Sequence, residues 1–296
     1  MEKIQRIHHI SAIVGAAQEN LDFYRNILNL RLIKRTVNFD DPNVYHLYFS
    51  NQKMENGTIM TFFPWENAHF GRKGSGQVGR IAFKIPKGSL EYWKNRLNEK
   101  NISFEESDLF FNKGIFFQDV HTLDLALVEG DEEADNNDII GFYGSFLLSF
   151  KPEETANTLE NDLGLEEVLR DDNYIHFKTL GEEKHHIIIP RKAAELGTWG
   201  VGTVHHIAWS VQNDEMHKMW QDYLISEGYG VTEVKDRNYF NAIYLKERGH
   251  IIFELATDTP GFGVDEPIET LGTQLKLPPQ YEQYRDQIEN NLKPLV

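Results

Sequence analysis

Two pairs of adjacent histidines and one glutamate are the residues in this sequence best suited to chemistry. His8-His9 lies in a short apolar run near the start of the chain, and His205-His206 lies in a similar run in its last third. Glu254 lies within a third apolar run. Two histidines and one carboxylate form the ligand set of non-haem metal sites that keep positions open for O2. The sequence therefore predicts one metal centre assembled from distant parts of the chain.

The alternation of side chains along a strand selects one histidine from each pair. In the first run His8 shares a face with the apolar Ile10, and this face is expected to pack under a helix. His9 and Ser11 would then face a cavity. We therefore expect His9, and not His8, to be a ligand.

The same argument applies independently to the C-terminal runs. His205 shares a face with apolar neighbours, which leaves His206 on the other face, and Glu254 falls opposite Phe253. If the strands that carry His206 and Glu254 are neighbours, both side chains can reach one ion. The expected ligands are His9, His206 and Glu254.

The elements that must position these ligands form a repeat. A pattern of strand, helix and three strands begins near Ile7, Val78, Gly141 and Thr203. One copy cannot cover its own sheet. We therefore predict an α+β fold in which four βαβββ modules pair into curved mixed sheets, with helices outside and the metal site in the concave face.

Only one metal is expected from this repeat. The second module has Arg80 and Leu127 at the positions of His206 and Glu254, and the first module has apolar Phe62 and Phe63 near the carboxylate position. His185-His186 also looks like a metal pair. It lacks a matching carboxylate, so we interpret it as structural or exposed.

An acidic segment divides the chain. Residues 131–138 carry five acidic residues and no hydrophobic periodicity, which is typical of a linker. We predict an N-terminal pair of modules over residues 1–130 and a C-terminal pair over residues 139–296. The second unit ends in a helix near residues 280–292.

Composition limits the partners. The formal net charge of −16 argues against nucleic acid and anionic membranes. No run of 18 apolar residues and no charged-then-apolar leader is present, so we expect a cytoplasmic protein without a membrane span. The chain has no cysteine, which excludes disulfides, a thiolate zinc site and a cysteine nucleophile. It also suits a protein that meets thiol-alkylating quinones.

Several further motifs are spread over nearly the whole chain. With the histidine pairs they are Ile7-His8-His9-Ile10-Ser11, Lys34-Arg35-Thr36, Tyr45-His46-Leu47-Tyr48-Phe49, Gly71-Arg72-Lys73-Gly74, Ile85-Pro86-Lys87-Gly88-Ser89-Leu90-Glu91, His205-His206, Asp236-Arg237 before Tyr239-Phe240, Tyr244, Phe253-Glu254, Gly261-Phe262, Asp265-Glu266 and Leu277-Pro278-Pro279.

On these motifs the chain resembles the vicinal oxygen chelate superfamily, which includes glyoxalases and extradiol dioxygenases. Within it, the chain is most similar to the ring-cleaving dioxygenases that act on hydroquinones. The resemblance implies Fe(II), or alternatively Mn(II), at the three expected ligands. It also implies that Arg237 and Tyr244 are catalytic residues beside the substrate. Ser11 stands where such enzymes have threonine, and it keeps the hydroxyl.

The resemblance implies an extradiol-type, non-haem Fe(II) dioxygenase. Its substrates would be a small aromatic compound, a substituted hydroquinone, and O2, and both oxygen atoms would enter the opened ring. Two alternatives stay open: a glyoxalase-like isomerase or lyase, and a resistance protein that binds an aromatic compound without a metal. The ring substituents, the native metal, a homo-oligomeric state and the roles of His8 and His205 are left open.

Overall fold

The structure, a computed structural model, describes residues 2–296 and contains four modules with the predicted element order. Module 1 comprises β1 (Ile7–Val14), α1 (Ala17–Asp22), β2 (Arg31–Val37), β3 (Tyr45–Ser50) and β4 (Ile59–Pro64). Module 2 comprises β5 (Gln77–Ile85), α2 (Leu90–Glu99), β6 (Phe104–Ser107), β7 (Gly114–Gln118) and β8 (Asp124–Glu129). Module 3 comprises β9 (Gly141–Leu148), α3 (Pro152–Asn157), β10 (Glu166–Arg170), β11 (Tyr174–Lys178) and β12 (His186–Pro190). Module 4 comprises β13 (Thr203–Val211), α4 (Asp214–Ser226), β14 (Lys235–Asp236), β15 (Phe240–Lys246) and β16 (Ile252–Pro260).

The modules pair from the outside of the chain inward. β1 of module 1 runs antiparallel to β13 of module 4, and β5 of module 2 runs antiparallel to β9 of module 3. In each module the first strand is also parallel to the last strand. A single bridge, between Val204 and Val78, joins the two halves of this 16-stranded sheet. The mixed, curved sheet and the outer helices agree with the predicted fold class.

Helices cover one face of each half and hold the strands of the site. α1 and α3 each continue as a π-helical turn, Phe23–Ile27 and Thr158–Asp162. Beneath α4, Trp209 and Phe253 pack edge to face with ring centroids 5.5 Å apart. On α4, the His217 ring nitrogen Nε2 lies 2.9 Å from the carbonyl oxygen of Leu255. The helix is therefore tied to the strand that carries Glu254.

The C-terminal segment returns to module 1. Short 3-10 helices, Phe262–Val264, Ile268–Thr270 and Pro279–Tyr284, lead into α5 (Arg285–Asn291). Lys34 on β2 is completely buried, and its Nζ lies 2.6 Å from carboxylate oxygens of Asp265 and Glu266. The backbone of Lys276 donates a hydrogen bond to the carbonyl of Arg35. The segment therefore covers the outer edge of β2. Within residues 2–296, no helix is long and apolar enough to span a membrane.

One strand of module 4 is shorter than the repeat of strand, helix and three strands would suggest. Residues 230–234 form only one bridge, Val231 to Leu245, and the paired strand after them is the two-residue β14. Side chains explain the difference: the Tyr244 amide donates to the hydroxyl of Thr232, and the Gln221 amide donates to the Thr232 carbonyl. These bonds replace strand ladder bonds. The division of the chain into two domains at residues 131–138 stays a prediction. Strands on the two sides of this segment pair with each other, β1 with β13 and β5 with β9.

Candidate metal centre

Three strands bring the expected ligands together. β1 and β13 lie side by side, with His9 opposite Ala208 and Ser11 opposite His206. β16 lies on the other side of β13 and places Glu254 opposite Ala208. The strands that carry His206 and Glu254 are therefore neighbours, as the sequence argument required.

The three ligand atoms converge. Nε2 of His9 lies 3.2 Å from Nε2 of His206 and 3.4 Å from Oε2 of Glu254, and His206 Nε2 lies 2.8 Å from the same oxygen. Ligands that bind an ion at ~2.0–2.2 Å with right angles between the bonds are ~3 Å apart. Within residues 2–296, these residues are the one group of three histidine, cysteine or acidic side chains with such convergent atoms.

Burial and charge suit these side chains to a cation. Glu254 is completely buried, and the polar atoms closest to its Oε2 include the Nε2 atoms of the two imidazoles, at 2.8 Å and 3.4 Å. Burial alone would raise the pKa of Glu254, but its interactions with His9 and His206 hold it well below the ordinary value. Burial lowers the pKa of His206. A carboxylate and neutral imidazoles are the forms that bind metal.

A β-bulge beside each ligand overturns one part of the sequence argument. The register between β1 and β13 shifts at His8 and again at His205, so each strand has one extra residue there. A bulge changes the direction of a side chain and breaks the alternation between faces. His8 and His205 therefore do not lie on the packed face: His205 lines the cavity, and the His8 ring contacts Phe240 at 5.1 Å.

The extra histidines hold the ligand rings. Nδ1 of His8 lies 2.8 Å from Nδ1 of His9, and Nδ1 of His205 lies 2.7 Å from Nδ1 of His206. If Nε2 of a ligand carries a lone pair, its Nδ1 carries the proton and donates to the preceding histidine. Such a bond fixes both the tautomer and the orientation of the ligand ring.

The ligands open into a cavity of about 240 Å³ between modules 1 and 4. Its other walls are aromatic, polar and acidic, and comprise Ser11, Asn38, Phe39, Asp40, Asp41, His46, Tyr48, Phe63, Trp65, His205, Arg237, Phe240 and Tyr244. Both expected catalytic residues are in this set. Nε of Arg237 donates to the Tyr244 hydroxyl at 3.3 Å, and the guanidinium lies between the rings of Tyr244 and Phe39.

Burial raises the pKa of Tyr244, and the neighbouring Glu254 raises it further. The phenol therefore keeps its proton and can act as a hydrogen-bond donor. Burial works against the charged form of Arg237, but Tyr244 and Asp40 outweigh it and raise the pKa of the guanidinium. The cavity therefore has one fixed cation and one fixed hydroxyl donor close to the three ligand side chains.

Module 1 has a hydroxyl where module 4 has its carboxylate. Ser11 corresponds to Ala208, because each lies two residues after a ligand histidine. Thr61 is the β4 neighbour of Ser11, just as Glu254 is the β16 neighbour of Ala208. The cavity between modules 1 and 4 therefore has a carboxylate at the module 4 position and none at the related position of module 1.

Two sequence assignments were wrong by one or two positions. Phe62 and Phe63 follow Thr61 and do not occupy the carboxylate position. In module 2 the corresponding position belongs to Ala126 and not to Leu127, whereas Arg80 does take the position of His206. Both errors come from counting along a sequence without knowing the register between strands. Neither correction introduces another carboxylate.

Modules 2 and 3 form a second concave face (a cup), and side chains fill it. Its core comprises Ala82, Phe110, Ala126, Val128, Tyr143 and Ile188, with Phe116, Phe146 and Tyr174 packed against it. His186 stacks on Tyr143 at 4.7 Å and bonds to His176 at 2.7 Å. His185 is buried, and its Nδ1 accepts a hydrogen bond from the backbone amide of Ile7 at 2.9 Å. His185 and His186 therefore contribute to packing and hydrogen bonding within the fold.

Paired βαβββ modules around a His, His, Glu cluster define a class of cup-shaped proteins with a metal-type site in the concave face. The family model described as glyoxalase/bleomycin resistance protein/dioxygenase superfamily matches residues 6–121. A relative from Bacillus subtilis (strain 168), named "Putative ring-cleaving dioxygenase MhqO", is 47% identical over 303 residues, which cover 99% of this chain and 97% of the relative. The chain belongs to this superfamily.

Two other relatives extend the comparison. The chlorohydroquinone/hydroquinone 1,2-dioxygenase of Sphingobium indicum is 31% identical over 312 residues, covering 97% of this chain and 95% of that protein. A crystal structure of a dioxygenase from Bacillus subtilis, named there as putative, superposes with a TM-score of 0.96 at 46% identity, over 100% of this chain and 99% of that chain. Maize glyoxalase I shares the fold, with a TM-score of 0.64 at 12% identity over 86% of this chain and 93% of that chain.

Proposed function

We propose that this protein is a metal-dependent dioxygenase that opens the ring of hydroquinones with O2, and that His9, His206 and Glu254 hold Fe(II). The observation that carries the proposal is a buried two-histidine, one-carboxylate cluster at the base of an aromatic-walled cavity. Two related proteins support the same reaction: one is named "Putative ring-cleaving dioxygenase MhqO" and the other chlorohydroquinone/hydroquinone 1,2-dioxygenase. When bound, the metal supplies adjacent positions at which a ring hydroxyl and O2 can meet.

The residues of the chain would hold the ring and the developing charge. A hydroquinone can offer a metal only one oxygen, because its second hydroxyl lies across the ring. The aromatic walls, including Phe63 and Phe240, can sandwich the ring and exclude water. Tyr244 can donate a hydrogen bond to an oxygen that gains negative charge, and Arg237 adds a fixed positive charge beside it.

A glyoxalase-like isomerase is the second candidate. That reaction moves protons and usually needs a second carboxylate as the base. Thr61 stands at the related position of module 1, so that position does not offer a carboxylate. Binding of an aromatic compound without a metal is the third candidate, and the convergence of two imidazole nitrogens on a completely buried carboxylate favours a metal site over it.

Oxygen uptake tests the proposal. We expect anaerobically prepared, Fe(II)-loaded protein to consume one O2 per hydroquinone and to open hydroquinones much faster than catechol. Tyr244→Phe should lower turnover at least tenfold, because loss of one transition-state hydrogen bond costs about 2.7–4 kcal/mol in well-studied cases. Its metal content should be unchanged.

The control and the contradicting results are direct. Tyr92→Phe removes a hydroxyl from the exposed face of α2 and should leave turnover unchanged. A preference for catechol would mean that the substrate class is wrong. A Tyr244→Phe variant as fast as the wild type would mean that this tyrosine is not a catalytic residue.

A further inference from the structure

A chain of four hydrogen-bonding groups lies along the module 1 wall of the cavity. The Tyr48 hydroxyl lies 3.0 Å from Nδ1 of His46, and Nε2 of His46 lies 3.0 Å from Oγ1 of Thr61. Oγ1 of Thr61 lies 2.7 Å from Oγ of Ser11. None of these four residues belongs to the group of three expected ligands.

The two ends of this chain face the cavity, and one link does not. Ser11, His46 and Tyr48 line the cavity, whereas Thr61 is completely buried behind them. Both ring nitrogens of His46 are already engaged by its two neighbours. His46 can therefore act on a ligand only through the groups at the ends of the chain.

The tautomer of His46 decides what each end offers. Burial holds the pKa of His46 well below its ordinary value, so the imidazole is neutral and has one donor and one acceptor. If Tyr48 donates to His46, then His46 donates to Thr61, Thr61 donates to Ser11, and the Ser11 proton is free for the cavity. If the other tautomer is present, the direction reverses and the Tyr48 proton is free. In both states one end is a donor and the other an acceptor.

Module 4 has no such chain. By the register of β15 and β16, Tyr244 corresponds to Tyr48 and Ala242 corresponds to His46. With Ala208 in place of Ser11, the module 4 wall keeps only the tyrosine and the carboxylate. The two related walls of one cavity are therefore chemically different: one holds the ligand carboxylate and the cation, and the other holds a neutral hydrogen-bonding chain.

We propose that His46 is a positioning residue that, through Thr61 and Tyr48, makes the module 1 wall the recognition site for the ring hydroxyl that the metal does not hold. This inference rests on the proposed function. A hydroxyl is both a donor and an acceptor, so it can pair with either end of the chain in either tautomer. A ring without that hydroxyl leaves buried polar groups unpaired, which sites of this kind reject strongly.

Anaerobic titration tests the inference without turnover. Hydroquinone and phenol, which lacks the second hydroxyl, are titrated into Mn(II)-loaded full-length protein. We expect the wild type to prefer hydroquinone. Thr61→Val cuts the chain without altering the cavity surface or the side-chain volume, and it should reduce this preference about tenfold while the Kd for phenol and the metal content stay unchanged. Thr61→Ser should restore the preference.

A second pair of variants tests His46 itself. His46→Gln keeps a donor and an acceptor and should retain most of the preference, whereas His46→Leu should lose it. Thr58→Val is the matched control, because Thr58 is a buried threonine whose hydroxyl bonds to Ser50 at 2.6 Å. It should behave like the wild type.

The contradicting results are distinct from those of the proposed function. An unchanged preference in Thr61→Val, or an equal loss in Thr58→Val, would overturn the inference. A wild type that binds hydroquinone and phenol equally would also overturn it. Failure to consume O2 with hydroquinone would overturn the proposed function and leave these binding comparisons intact.

Discussion

Glu254 is the residue on which metal binding depends most. It is a completely buried carboxylate whose Oε2 lies 2.8 Å from Nε2 of His206 and 3.4 Å from Nε2 of His9. We predict that Glu254→Gln, which keeps the shape but removes the charge, weakens binding of Fe(II) or Mn(II) at least 100-fold. His9→Ala and His206→Ala should do the same. Metal analysis after dialysis measures this loss, and circular dichroism should show an intact fold.

His8→Ala is the informative control for the ligand assignment. His8 touches the ligand His9 but does not face the ion position, and removal of such a partner typically weakens metal binding 10–100-fold. The expected order of affinity is wild type, then His8→Ala, then the ligand variants. Full metal occupancy in Glu254→Gln would show that this carboxylate is not a ligand.

At the scale of single residues, the sequence pointed to the expected ligands but did not predict which residues hydrogen-bond to them. Strand parity selected His9 and His206 because the apolar residues of β1 and β13 alternate with them, and the structure brings both side chains together with Glu254. It misplaced His8 and His205, because a bulge depends on the pairing of two strands and leaves no mark in either strand alone. Thr61 was missed for the same reason, since its place follows from register.

Among the elements, β12 is tied to the site-bearing half by one histidine. His185, just before β12, accepts a hydrogen bond from the amide of Ile7 at the start of β1. Burial lowers the pKa of His185 to about 3, whereas the unfolded chain has a histidine pKa of about 6.5. Between these values the unfolded chain binds the extra proton, so stability is lost as the pH falls below about 6.5.

We therefore predict a pH-dependent stability that one substitution reduces. Between pH 7.5 and 5, protonation of the unfolded chain at His185 alone removes about 2 kcal/mol from the free energy of unfolding of metal-free protein. His185→Gln, which keeps an acceptor for Ile7, should make the pH dependence shallower by this amount in urea titrations. His69→Gln removes an exposed histidine and should leave it unchanged. An identical pH dependence in His185→Gln would contradict the assignment.

The order of strands and helices could be predicted from the sequence. Which modules pair with each other could be predicted only in part. Alternating apolar residues and turn residues indicated each strand–helix–strand unit, and the shared site pointed to modules 1 and 4. That modules 2 and 3 form their own cup, filled by aromatic side chains, depends on packing that no local pattern encodes. The limited strand pairing near residue 231 reflects a hydrogen bond that the Tyr244 amide donates to the side-chain hydroxyl of Thr232.

In the whole molecule the site belongs to neither sequence half. His9 lies before the acidic linker, and His206 and Glu254 lie after it. We predict that residues 1–130 and residues 139–296, produced separately, each fail to bind metal tightly, because each lacks at least one ligand. Mixing the two pieces should restore binding if they pair through β1 and β13. Metal titration of each piece and of the mixture measures this, and tight binding by residues 139–296 alone would contradict it.

The nested pairing of modules also orders events at the ribosome. β1 leaves the ribosome early and has β4 on one side, but β13, its partner on the other side, begins only at Thr203. At about 5–20 residues per second, this edge waits roughly 10–40 s, while modules 2 and 3 can already pair. An unpaired strand edge invites pairing with other chains, and a bulge is one feature that discourages it. This edge of β1 is therefore open to other chains until β13 pairs with it, and the three expected ligands come together only once Glu254 has emerged.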